Sequence, residues 1–116
     1  MDSDEDLLAA VQSGCTFELV RVLGVARDKA GTRSQTATYE CEIVRAFEKT
    51  LSAPTCLAHF GVPRLEVGRM YVVGAIDSRR HQDAWALQFA SLAAEDPEQA
   101  VADFLSRRAA LDQGNK

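Results

Sequence analysis

The sequence predicts a mainly β domain, α+β by content, in which five strands close into a small Greek-key barrel flanked by a short N-terminal helix and a C-terminal helix. Three observations point there. Tyr39-Glu40-Cys41-Glu42-Ile43 alternates apolar and charged residues with the two-residue period of a half-buried strand. A long β-branched segment before it changes parity and meets Gly24, as a bent first strand does. Two apolar runs near the C-terminus flank a polar tip, the pattern of a hairpin. Five such strands must close on one another or leave a long apolar edge exposed. The 116 residues suit one domain, divided into a helix (1–14), a barrel (15–94) and a closing helix (95–116).

The elements follow in order. Ser3 caps the first helix with Asp6 three residues on, Leu7, Leu8 and Val11 share a face, and Gly14 stops it. In the first strand Phe17 and Leu19 alternate with polar neighbours before Val20 and Val22 break the parity. A polar loop over 29–36 leads to the amphipathic second strand, with Tyr39, Cys41 and Ile43 on one side and Glu40 and Glu42 on the other. Pro54 and Pro63 bracket a short third strand at 55–60. Residues 69–76 are apolar on both parities, as in a strand covered on both faces. After the tip, Trp85, Leu87 and Phe89 fall on one face and Ala86, Gln88 and Ala90 on the other, completing a hairpin over 69–92 in which Trp85 belongs to the core. Asp96 caps the last helix, Pro97 takes its first position and Gln99 the capping-box position; Phe104 and Leu105 form its packing face and Gly114 its end.

This order of strands suits an OB-like Greek-key barrel, with a half-open sheet covered by the C-terminal helix as the other arrangement. The stretches 39–50 (YECEIVRAFEKT) and 65–75 (LEVGRMYVVGA) resemble the netrin-like family, the OB-fold group that includes the tissue inhibitors of metalloproteinases. The resemblance spans about residues 15 to 92 and implies a barrel. Thr50 stands where that pattern has glycine, the family's disulfide set is missing, and Cys15, the one counterpart of its zinc-chelating N-terminal cysteine, is internal. Metalloproteinase inhibition does not carry over.

No nucleophile elbow, zinc-protease, P-loop or dinucleotide motif occurs, and the pairs Cys41 with His59 and Glu40 with Glu42 lack the further groups a catalytic site needs. The chain is therefore expected not to be an enzyme and to use no cofactor. His59 and His81 have no ligand at metal spacing, so no metal site is expected. The three cysteines, Cys15, Cys41 and Cys56, read as free thiols of a reducing compartment, against one disulfide and a spare. With no apolar run long enough for a membrane helix and an acidic start, the expectation is a cytoplasmic protein, or a secreted or periplasmic one if a signal has been removed.

Charge singles out two candidate surfaces. The net charge is -4, yet residues 15–94 hold ten bases against eight acids, and the acids collect at the two ends. In an OB fold the loops joining strands 1 to 2 and 4 to 5 flank the binding face. Here they would carry Lys29 and Arg33, and Arg79, Arg80 and His81. The second surface is the face of strand 2, with Tyr39, Glu40, Glu42 and Arg45. Together these predict a binding module that engages a protein partner through its loops or a strand edge, homo-oligomers included. Single-stranded nucleic acid on the basic loops is the alternative, and a secreted netrin-like inhibitor the third.

Overall fold

In this computed structural model the structure describes residues 3–28, 36–47, 56–60, 65–77 and 85–114. The elements are α1 (Asp4–Gln12), β1 (Thr16–Asp28), β2 (Thr36–Ala46), β3 (Cys56–Phe60), β4 (Met70–Asp77), β5 (Trp85–Leu92) and α2 (Pro97–Gly114). The chain is mixed α+β and mostly sheet. β2, β1, β4 and β5 lie side by side as a four-stranded antiparallel sheet. Where a closed five-stranded barrel was expected, β3 is short, as read from the sequence, and adds only a narrow link to this four-stranded sheet. It is 5 residues long, antiparallel to β2 along its length, and touches β5 through two parallel pairs, Leu57 with Trp85 and Ala58 with Ala86. The hydrogen-bonded order of strands is β1-β2-β3-β5-β4, and β4 pairs again with β1.

β1 holds this arrangement together because both of its faces are buried along its first half. Phe17 and Leu19 join a layer beneath the helices, with Met70, Val72 and Phe89. Val20 and Val22 point into the sheet's other face, with Tyr39, Cys41, Tyr71, Val73 and Leu87. What the sequence suggests as a change of parity is therefore a strand that packs on two sides. Register shifts fall between Leu19 and Val20, Val22 and Gly24, and Val25 and Arg27, so the bend expected at Gly24 is present among three irregularities. Glu18, which the alternation would leave as a polar neighbour, is fully buried.

The hairpin of β4 and β5 corrects another expectation. Leu87 and Phe89 do not share a face: Leu87 and Ala90 lie with the interior cluster and Phe89 lies under the helices. A register shift between Gly74 and Ala75 sets Gly74 opposite Phe89 and Ala75 opposite Leu87, so Gln88 is the extra residue that reverses the parity. Gly74 also faces Phe17, and a Cβ there would stand 2.8 Å from the Phe17 ring. Glycine lets the ring lie flat on the strand. The side chain of Trp85 lies outside the described residues.

Both helices cover the layer at Phe17. α1 has the capping box read from sequence: the Ser3 hydroxyl accepts from the Asp6 N–H at 3.1 Å, and Gly14 ends the helix at φ 79°. Leu7 and Ala10 are its buried residues. In α2 the Asp96 carboxylate accepts from the Glu98 N–H at 3.3 Å, but Gln99 donates to Asp103 at 2.7 Å instead of closing a capping box. Phe104 is buried, with ring centroids 5.4 Å from Phe17 and 4.7 Å from Phe47. Leu105 is not part of the packing face; it is 50% exposed, and Ala100 takes the buried place with Phe104 four residues on. Arg107 and Arg108 lay their guanidinium groups over Phe89 and Phe17 at 5.5 and 5.3 Å, which closes the seam with cation–π contacts. The Arg107 Nε also donates to Asp4 at 2.8 Å and ties α2 to α1.

Candidate interaction site

β1 has 13 residues and β4 has 8. Their ladder ends at Arg21 opposite Met70. One step further, the Val22 N–H donates to the Arg69 carbonyl at 3.0 Å, and the Gly68 N–H donates to the Val22 carbonyl at 2.8 Å. Gly68, at φ 89°, turns the chain there into β4. Two tyrosines hold the approach to that turn. The Tyr39 hydroxyl accepts from the Leu65 N–H at 3.2 Å and the Tyr71 hydroxyl from the Glu66 N–H at 2.9 Å.

Beyond Val22, β1 pairs with β2 alone among the described residues, from Gly24 opposite Glu40 to Asp28 opposite Ala37. Its other edge carries backbone groups with no strand beside them among those residues. Leu23 and Val25 on this segment are 53% and 46% exposed. An apolar, one-sided strand edge is a template for a further strand. Glu40 and Glu42 stand exposed on neighbouring β2 and make no ion pair with a described residue.

The surfaces foreseen in sequence fare unequally. Lys29, Arg33, Arg79, Arg80 and His81 lie outside the described residues. Glu40, Glu42 and Arg45 are exposed on β2. Tyr39 is a correction: it is buried in the interior cluster, where its ring packs with Cys41 and Tyr71, and it presents no surface for a ligand. The alternation of β2 that exposes Glu40 requires this, because adjacent residues point to opposite faces. The edge of β1 beyond Val22, one-sided among the described residues, was not singled out in sequence. Its signal is the mismatch between a long first strand and a fourth strand that starts late, after Gly68.

Two other concave features among the described residues have their arginines engaged in contacts of the fold. A cleft of about 400 Å³ between β5 and α2 is lined by Val72, Ser91, Phe104 and Arg107, whose guanidinium is held by Asp4 and Phe89. A second, of about 550 Å³, lies beside Arg21 and Arg69. Arg21 donates there to the Gly68 carbonyl at 3.0 Å, and Arg69 pairs with Glu66 at 3.3 Å. Among the described residues no three His, Cys, Asp or Glu side chains gather as metal ligands, and no helix is long and apolar enough to cross a membrane. Cys15 and Cys41 are buried, and burial pushes the Cys15 thiol up, away from the thiolate a nucleophile needs. Cys56 has its side chain outside the described residues.

No family model, curated protein or solved structure matches the chain. The netrin-like resemblance therefore rests on the two quoted stretches alone.

Proposed function

We propose that the chain is a non-enzymatic, OB-type binding module that takes a protein partner on the edge of β1 beyond Val22, which has no second strand beside it among the described residues. The neighbour order β1-β2-β3-β5-β4, with β3 parallel to β5, supports the OB reading. The observation that carries the binding role is that β1 outruns β4. Residues 23–28 are bonded on one side among the described residues, and Leu23 and Val25 are exposed there. Strand addition to such an edge combines main-chain hydrogen bonds for affinity with side-chain contacts for selection. Nucleic acid is less well served by the described surface: the exposed face of β2 carries Glu40 and Glu42 where phosphates would lie, and the Tyr39 ring is inside.

The test is a Leu23→Lys, Val25→Lys double variant. Lysines on an edge discourage strand addition without removing core contacts. The variant should unfold at nearly the same temperature as the wild type and lose the proteins that wild type retains from its native source. A variant that retains them all would move the site away from β1.

A further inference from the structure

We infer that the β1 edge selects an extended segment with a basic residue opposite Gly24, whose side chain crosses the glycine to reach Glu40; this rests on the reading of that edge as the binding surface. Gly24 and Glu40 are register partners, so they share one face of the sheet. A strand added to β1 lies about 4.8 Å from it and so about 10 Å from β2. The added residue opposite Gly24 then stands in one lateral row with Glu40. A side chain in between would block that row. Gly24 has none, and a Cβ built on it meets no atom within 4 Å.

Gly24 follows a register shift of β1, but neither backbone angle nor packing there demands a residue without a side chain. Its φ is not in the left-handed region and no neighbour crowds it, unlike Gly74 under Phe17. A glycine within a strand goes with a bulge, as here, and also leaves room for another chain to come close. Leu23 and Val25, exposed before and after the glycine, offer the added strand contacts for apolar residues on either side of the cation. Glu42, exposed further along β2, adds a second carboxylate nearby. The partner is thus an extended apolar segment with a central cation, not an acidic one.

Two short blocked peptides of alternating threonine and valine, one with lysine at the centre and one with glutamate, supply the probe. Each is titrated into the full chain while backbone amide shifts and hydrogen exchange are followed. The lysine peptide should slow exchange at residues 23–28 and bind at least about threefold more tightly than the glutamate peptide, the scale of an exposed ion pair. Glu40→Lys should reverse that preference, Glu40→Gln should abolish it, and Gly24→Leu should weaken the preference with the edge still occupied. Equal protection by both peptides would overturn the charge inference and leave the edge as a binding surface. Protection by neither would overturn both. Slowed exchange in the protein alone as its concentration rises would assign the edge to a second copy, and a larger shift with a single-stranded oligonucleotide would assign it to nucleic acid. Either result overturns the inference.

Discussion

From Thr16 to Val22, β1 lies between β2 and β4 and buries both faces; from Leu23 to Asp28 it has β2 alone among the described residues. The two halves are similar in composition. Phe17, Leu19, Val20 and Val22 are matched by Leu23, Val25 and Ala26. What separates them is the neighbour, since the turn at Gly68 starts β4 opposite the middle of β1 and both helices sit over the Phe17 end. Burial of an apolar strand is therefore a property of what lies alongside it. The half left over is where a partner can add contacts at no cost to the core.

Predictions follow from this contrast. Phe17→Ala removes a ring packed on Phe89 and Phe104 and should lower the unfolding free energy in urea by roughly 3 to 5 kcal/mol, as large core truncations do. Leu23→Ala, on the bare half, should stay within about 0.5 kcal/mol. Equal losses would erase the distinction between the halves. The glycines give a second contrast. Gly74→Ala drives a methyl into the Phe17 ring and should cost roughly 1 to 3 kcal/mol, partly recovered when Phe17→Leu is combined with it. Gly24→Ala has open space and a permissive backbone, so it should stabilise by about 0.4 to 1 kcal/mol through the unfolded chain.

Ser3→Ala breaks the cap of the helix that covers the buried half and should cost about 1 kcal/mol, read as a lower midpoint in urea. The gentlest check uses no substitution. Amides of residues 24–28 should exchange with solvent well before those of 17–22, because local opening of a one-sided edge breaks fewer contacts than opening of the paired half. Matching protection would mean that the edge is already occupied in solution.

Local chemistry was the legible part. The Ser3 and Asp6 cap, the stop at Gly14, the alternation that sets Tyr39 and Cys41 opposite the exposed Glu40 and Glu42, and the pairing of β4 with β5 could all be read from neighbours within a few residues, although Tyr39 was also offered as a surface residue. Where the reading failed, a contact or a bulge that the pattern does not record decided. Leu105 was given to the packing face by helical spacing, but the surface beneath α2 is built by Phe17 and Phe47, and it takes Ala100 and Phe104 instead. Leu87 and Phe89 were set on one face because a bulge at Gln88 leaves no mark in the apolar pattern. Gln99 was given to a cap, but Asp103 one turn on holds its amide.

By itself the sequence determined which segments are strands and helices, where the helices begin, and which face of β2 meets water, since these follow from caps, turn residues and a period of two. The tertiary structure decided which half of β1 is covered, that Glu18 is buried, and that beyond Val22 β1 has β2 alone beside it among the described residues. The physical reason is that burial and edge pairing depend on where β4 begins and where the helices dock. Those positions are set by packing between residues far apart in the chain, which no local pattern records.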